Sequence, residues 1–190
     1  MSTSHLKLRS IPLTFILAGV GAMLACGQPS APGAKNGPRF AVSFPADLAA
    51  GPLDGRVLLM ISSDPGSEPR FQISDGAASQ LVFGIDVDGW KPGEKAAIDA
   101  SVLGYPLDSL GDLPAGTYQV QALIHRYETF KRADGHTVKL PMDRGEGQKW
   151  NRAPGDLYST PKSVTLDPKA AGEIDIVLDK VIAFHGPGMR

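Results

Sequence analysis

The chain has 190 residues, enough for one ordinary domain with additional segments. Its formal net charge of −1 excludes a basic field for nucleic acid, and its 42% hydrophobic and 21% charged residues exclude a disordered chain. The 22 glycines and 16 prolines favour short strands joined by turns, because proline is costly inside helices. The single cysteine, Cys26, excludes an intrachain disulfide and a cysteine-based zinc site.

The N-terminal segment has the pattern of a secretory signal. Lys7 and Arg9 precede an uncharged run over residues 10–25, which is too short and too rich in Gly, Ser and Pro for a comfortable membrane span. The run ends at Cys26 and resembles the bacterial lipobox, in which a small residue precedes a cysteine that becomes lipidated. Ala25 matches that small position, whereas Met23 and Leu24 depart from the usual pattern. We predict a lipoprotein signal peptide over residues 1–25; the alternative is an ordinary signal peptide with an incidental cysteine.

Residues 26–38 are predicted to form a flexible tether behind the lipidated cysteine. They are rich in Pro, Gly and Ala and contain nothing to bury. Gly27 follows the cysteine, and by resemblance to Gram-negative lipoproteins this favours the outer membrane. We therefore expect a lipid anchor at Cys26 that holds the protein in the cell envelope, on the outer membrane and facing either the periplasm or the cell surface.

Short apolar or alternating runs separated by turn residues follow the tether. They predict strands at residues 39–44, 56–62, 80–87, 95–101, 117–124, 162–166 and 172–182. Asp88-Gly89 and Pro92-Gly93 are turn signals. About seven strands and no convincing amphipathic helix predict an all-β fold over residues 39–185, an antiparallel β-sandwich that is only loosely immunoglobulin-like or prealbumin-like. Residues 186–190 are assigned to a C-terminal tail.

The segment over residues 117–124 is the clearest strand signal, and we expect it to be the central strand. Its two rows of side chains alternate with a period of two. Tyr118, Val120, Ala122 and Ile124 form one row, and Thr117, Gln119, Gln121 and Leu123 form the other. The pattern predicts a half-buried strand with the first row in the core.

Residues 125–161 are predicted to form one long ordered loop of polar character. Connections of this length are often functional or packed on themselves. Aromatic, amide, imidazole and carboxylate side chains are the types that line carbohydrate and small-ligand surfaces. The candidate ligand or partner surface consists of His125, Asp134, His136, Asp143, Trp150, Asn151 and Tyr158. The alternative is that Trp150 and Tyr158 pack the loop onto the sandwich while Asp134 and Asp143 hydrogen-bond turns.

Motifs of catalysis and metal binding are weak. The sequence has no G-x-S-x-G elbow, and Cys26 lies outside the predicted domain. His125, His136 and His185 do not form the H-x-H or H-E-x-x-H spacings of metal sites. We therefore expect no catalytic residue, no metal and no cofactor.

Four clustered phrases carry a resemblance to a known family. They cover residues 98–106, 113–123, 132–138 and 150–159. They resemble the β-sandwich domain that precedes the catalytic domain in some bacterial putative esterases, similar to enterochelin esterases of the α/β-hydrolase fold. In that family a hydrolase domain with the nucleophilic serine follows, whereas this sequence stops at Arg190. The resemblance implies a fold and an ancestry without hydrolase activity.

Two functions remain open from the sequence. The first is a non-catalytic, membrane-tethered lipoprotein with a β-sandwich module that binds a carbohydrate ligand or a protein partner. The second is a truncated or split accessory domain of an esterase, which acts with a separate α/β-hydrolase chain. Neither function involves nucleic acid.

Overall fold

The computed structural model describes residues 37–76, 78–169 and 172–184. These residues form an all-β fold with eleven strands and three short 3-10 helices. The strands are β1 Arg39–Ser43, β2 Leu53–Ser62, β3 Leu81–Trp90, β4 Ala96–Ile98, β5 Gly104–Tyr105, β6 Gly116–Lys131, β7 Thr137–Pro141, β8 Leu157–Tyr158, β9 Lys162–Leu166, β10 Glu173–Val177 and β11 Lys180–Val181. The 3-10 helices are Pro69–Phe71, Leu110–Asp112 and Trp150–Arg152.

Several predicted features lie outside the described residues. These are the signal peptide, Cys26, the tether up to residue 36, His185 and the C-terminal tail. Within the described ranges, no helix is both long enough and apolar enough to cross a membrane.

The strands form two sheets. The larger sheet is antiparallel in the order β11-β8-β6-β2-β3-β5, and β7 and β9 also pair with β6. The smaller sheet has the order β10-β1-β4, in which β1 runs parallel to β10 and antiparallel to β4. The fold is thus two-layered and sandwich-like, although one ladder departs from the antiparallel pairing expected from the sequence.

The main core lies between the two sheets. It is built from alternate side chains of both layers, as a period of two requires. Its fully buried members include Phe40, Val42 and Ile98 of the smaller sheet and Val57, Leu59, Phe83, Val120, Ala122 and Ile124 of the larger sheet. Phe44 and Trp90 close one part of it with an edge-to-face contact at 4.7 Å between ring centroids. Each buried Val, Leu, Ile or Phe side chain of this core contributes about 1.5–3 kcal/mol by leaving water.

Strand β6 is central in the larger sheet, as predicted, and it pairs with β2 over the whole stretch Gly55–Ser62. It continues past Ile124 to Lys131, where β7 supplies its ladder partner. The prediction of one long loop over residues 125–161 is therefore wrong. That segment contains the end of β6, the hairpin strand β7, one 3-10 helix and β8. The sequence does not indicate a strand here, because this end of β6 is only partly buried and carries polar side chains.

The larger sheet is also covered on its second side, which we call the outer face. Met60, Leu123 and Ile182 form a second buried cluster there, against which Trp150 and Tyr158 pack. Gln121, in the row expected to face solvent, is 0% exposed. The prediction of a half-buried central strand is therefore wrong, because segments distant in sequence cover the row that holds Gln121 and Leu123.

Two further elements differ from the sequence prediction. Asp88-Gly89 is not a turn but lies inside β3, where the β2–β3 register shifts and the Gly89 N–H donates to Asp54 Oδ1 at 2.7 Å. The predicted strand over residues 172–182 divides into β10 and β11, which belong to different sheets. The turn at Pro92-Gly93 is confirmed, with a φ of 77° at Gly93. The strand number exceeds the predicted seven because β5, β8 and β11 have two residues each, too few to show a period of two, and because β7 lies in the segment predicted to be a loop.

Candidate functional site

A buried polar network on the outer face is centred on Gln121. Its Oε1 accepts a hydrogen bond from the Arg70 backbone N–H at 3.1 Å. Its Nε2 donates to Glu68 Oε2 and to the Ser159 backbone oxygen, both at 2.9 Å. A buried amide needs such partners, because leaving one of its groups unpaired costs about 1–3 kcal/mol. The network thus fixes the segment 68–71 on the centre of β6.

The Arg70 side chain is held on several sides. Its Nε donates to Glu68 Oε2 at 2.8 Å, and its Nη1 donates to the Asn151 backbone oxygen at 3.1 Å. The guanidinium also lies over the Tyr158 ring at 4.1 Å and the Phe71 ring at 4.4 Å. The Asn151 side chain completes the pair by donating to the Arg70 backbone oxygen at 3.0 Å. Arg70 therefore joins three separate stretches of the chain.

The environment of the Glu68 carboxylate favours its ionised form. Burial alone would raise its pKa, but hydrogen bonds from Gln121 and Arg70, together with the nearby positive charge, hold its pKa below the usual 4.5. Glu68 is therefore ionised at neutral pH and balances the buried guanidinium.

A histidine–aspartate pair lies on the same face. His125 Nδ1 and Asp156 Oδ2 are 2.8 Å apart, and Asp156 Oδ1 accepts from the Arg126 backbone N–H at 3.0 Å. Asp156 is 2% exposed, and burial raises the pKa of its carboxyl despite these two hydrogen bonds. The carboxyl orients the imidazole as it would orient a general base. However, the Ser159 hydroxyl is engaged elsewhere on this face, where it accepts from the Ala122 N–H at 3.0 Å.

Four of the predicted site residues come together on the outer face. Trp150 and Tyr158 pack against its buried cluster, Asn151 contacts Arg70, and His125 follows Leu123 on β6. For Trp150 and Tyr158, this packing is the role that the alternative interpretation assigned to them.

The other three predicted site residues lie in turns. Asp134 and His136 occupy the connection between β6 and β7, where Asp134 Oδ1 accepts from the His136 N–H at 3.1 Å and the His136 side chain is 77% exposed. Asp143 Oδ1 accepts from the Gly145 N–H at 2.8 Å and the Gly147 N–H at 3.3 Å. These hydrogen bonds match the turn role of the alternative interpretation, so neither aspartate joins the outer-face group.

Two clefts open beside this group. The first, which we call the Trp150 cleft, has a volume of about 340 Å³ and is lined by Arg56, Leu58, Ile73, Val82, His125, Gln148 and Trp150. The second, which we call the basic cleft, has a volume of about 570 Å³, and its lining includes Arg70, Phe71, Arg144, Glu146, Lys149 and Arg152. Both volumes fall within the roughly 300–1,000 Å³ of typical ligand sites.

Sequence reasoning missed Glu68, Arg70, Gln121 and Asp156. Glu68 and Arg70 lie between the predicted strands at residues 56–62 and 80–87, in a stretch where Pro65 and Pro69 indicate turns. One signal was present, since Leu123 placed an apolar side chain in the row assigned to solvent. No sequence pattern indicates the partnership of His125 with Asp156, which are 31 positions apart.

The described residues contain no group of three or more His, Cys, Asp or Glu side chains that could hold a metal ion. Comparison of the chain with models of protein families, with curated proteins and with solved structures gives no match. Its function is therefore inferred from its own residues and their geometry.

Proposed function

We propose that this protein is a non-catalytic, lipid-anchored binding module of the cell envelope and that its outer face binds carbohydrate. The observation that carries the proposal is the grouping of His125, Trp150, Asn151 and Tyr158 beside two clefts. These residues come from three different elements of the fold, and the buried Gln121 network fixes the surface around them.

The Trp150 cleft has the chemistry of a sugar site. Its indole, together with Leu58 and Ile73, offers an apolar wall, and Arg56 and His125 supply polar groups at its edge. Sugar rings pack an apolar face on aromatic side chains while a few polar groups fix their orientation. In this proposal Asp156 orients the His125 imidazole for a hydrogen bond to the ligand.

Anchoring and fold type complete the proposal. The lone cysteine after an apolar signal core supports lipidation of Cys26, and the tether places the domain close to the membrane. Two facing sheets around one core support an immunoglobulin-like or prealbumin-like sandwich. Fractionation of a Cys26→Ser variant tests the anchor: we expect release from the membrane fraction and loss of the lipid mass, and unchanged fractionation would contradict it.

Binding is tested by calorimetric titration of the full chain with neutral oligosaccharides and peptidoglycan fragments. We expect saturable binding of at least one glycan, weakened about tenfold or more in Trp150→Leu, because an aromatic platform contributes on the order of 1–2 kcal/mol. Tyr105→Leu is the matched control, since Tyr105 is 44% exposed and lies on the edge strand β5.

Three outcomes would overturn the proposal. The first is the absence of saturable binding, and the second is equal affinity in Trp150→Leu and wild type. The third is ester turnover that survives repurification and disappears in His125→Ala, since that would make the His125–Asp156 pair catalytic. Tight association with a separate α/β-hydrolase chain instead of glycans would favour the split-esterase function.

A further inference from the structure

The basic cleft carries more positive charge than its neighbouring acids balance. Arg70, Arg144, Lys149 and Arg152 line it, and Glu146 is the acid in its lining. Arg70 pairs with Glu68 at 2.8 Å, and Arg144 pairs with Glu128 and donates to the Pro154 backbone oxygen at 3.2 Å. The cleft thus has four cationic side chains but only three neighbouring acids, even when Glu68 and Glu128, which lie outside its lining, are counted with Glu146.

Two of these cations are available to a ligand. Lys149 and Arg152 are exposed, and neither forms an ion pair with an acid in the part of the chain that the structure describes. The Arg152 guanidinium lies over the Phe71 ring at 5.1 Å, which positions it at the cleft wall. A guanidinium and an ammonium that share a cleft suit one anionic group, because charge-assisted hydrogen bonds are the strong ones.

Glu146 places a second requirement on the ligand, in addition to a negative group. Its Oε2 accepts from the Arg144 backbone N–H at 2.8 Å, whereas its Oε1 is buried without a hydrogen-bond partner among the described residues. An unpaired buried carboxylate oxygen is costly, so a ligand hydroxyl that draws the Glu146 side chain toward the cleft and donates to this oxygen would relieve that cost. A bare anion would instead be repelled by this carboxylate. The cleft therefore suits a ligand with both a negative group and hydroxyl donors.

The cleft also has an apolar wall. Phe71 is 39% exposed, and Ile182 and Pro154 complete the lining beside it. The hydroxyls, the negative charge and an apolar ring face are combined in acidic sugars.

We propose that the basic cleft binds a saccharide that carries a carboxylate or phosphate group, with Lys149 and Arg152 holding the anion, Glu146 accepting from a hydroxyl and Phe71 packing against the ring. This inference rests on the proposed function, since it names the ligand class of the same outer face. It assigns the anion to a cleft distinct from the Trp150 cleft.

The test is calorimetric titration of the full chain with four probes: glucuronate, glucose 6-phosphate, glucose and inorganic phosphate. We expect at least one of the two acidic sugars to bind with an affinity that falls as salt rises, and to bind more tightly than glucose and phosphate. The double variant Lys149→Gln/Arg152→Gln should weaken this binding by about tenfold or more, as the loss of charge-assisted hydrogen bonds predicts. Lys91→Gln, in an exposed turn outside the cleft lining, is the matched control and should bind as wild type does.

Four outcomes of this titration would contradict the proposal. If the double variant weakened glucose binding as much as acidic-sugar binding, the anion would have no role. Equal binding of phosphate would show that the sugar has no role, and unchanged affinity of the acidic sugars in the double variant would show that they do not bind in the basic cleft. Absence of binding by both acidic sugars would also overturn the inference. None of these results affects neutral-glycan binding that depends on Trp150, so failure here is distinguishable from failure of the proposed function.

Discussion

The Oε1 atom of Gln121 accepts a hydrogen bond at 3.1 Å from the backbone N–H of Arg70, which lies 51 positions earlier in the chain. This contact fixes the short 3-10 helix Pro69–Phe71 against the central strand. Because Arg70 and Phe71 also line the basic cleft, a fully buried amide in the sheet sets the position of one cleft wall. Gln121, which the alternation assigns to solvent, thus lies at the centre of the buried hydrogen-bond network of the outer face.

The first prediction concerns this amide. Gln121→Asp should destabilise the protein by about 3 kcal/mol, because it orphans buried partners and places a second carboxylate beside Glu68. Val120→Asp, on the core side of the same strand, should be at least as damaging, since it buries an unpaired charge. Urea unfolding measures both free energies. Gln119→Asp, at a partly exposed position of the same row, is the control and should cost far less; equally mild effects at 119 and 121 would contradict the burial of Gln121.

The second prediction concerns Gly55 at the start of the β2–β6 ladder. A Cβ there would lie 2.3 Å from the backbone oxygen of His125, and backbone atoms cannot move aside cheaply. Gly55→Ala should therefore cost about 3 kcal/mol or more in the free energy of unfolding. Gly51→Ala is the matched control, because nothing lies within 4 Å of its Cβ position. Similar melting temperatures for the two variants would show that the strands are not so close.

The third prediction concerns pH. The folded-state pKa of Glu68 lies below its usual 4.5, so its carboxylate stabilises the fold above that value, and the contribution is lost as the pH falls through the lowered pKa. Glu68→Gln should thus be less stable than wild type at neutral pH, and the difference should shrink below pH 4.5. Denaturant unfolding at neutral and acid pH measures it. A difference that grows on acidification would contradict this direction.

The fourth prediction separates the two partners of Asp156. Asp156→Ala leaves the Arg126 N–H and the His125 ring without their partly buried acceptor contact, and it should cost about 2 kcal/mol. Asp156→Asn keeps an oxygen for the N–H and offers an amide to the imidazole, so it should cost about 1 kcal/mol or less. Thermal unfolding compares them. If both variants lose the same stability, the hydrogen bonds to Asp156 do not contribute as the geometry indicates.

Local patterns determined much of the fold. The alternation of Phe40, Val42 and Phe44 and the turn at Pro92-Gly93 predicted β1 and the turn after β3, because side-chain period and backbone restrictions are properties of short segments. The central position of the strand through Val120 followed from its long period-two pattern. The absence of helical periodicity likewise predicted an all-β chain.

Tertiary structure decided the rest. Whether a side chain is buried, and which hydrogen-bond partner it has, depends on segments that are distant in the sequence. Gln121 is buried only because the segment carrying Arg70 lies over it, and Lys131 belongs to a strand only because β7 pairs with it. The same reason explains the candidate site. Sequence offered seven residues, but only the packed sheet could bring His125, Trp150, Asn151 and Tyr158 onto one face and leave Asp134, His136 and Asp143 in turns. A hydrogen bond between residues 51 positions apart leaves no periodic trace in either segment.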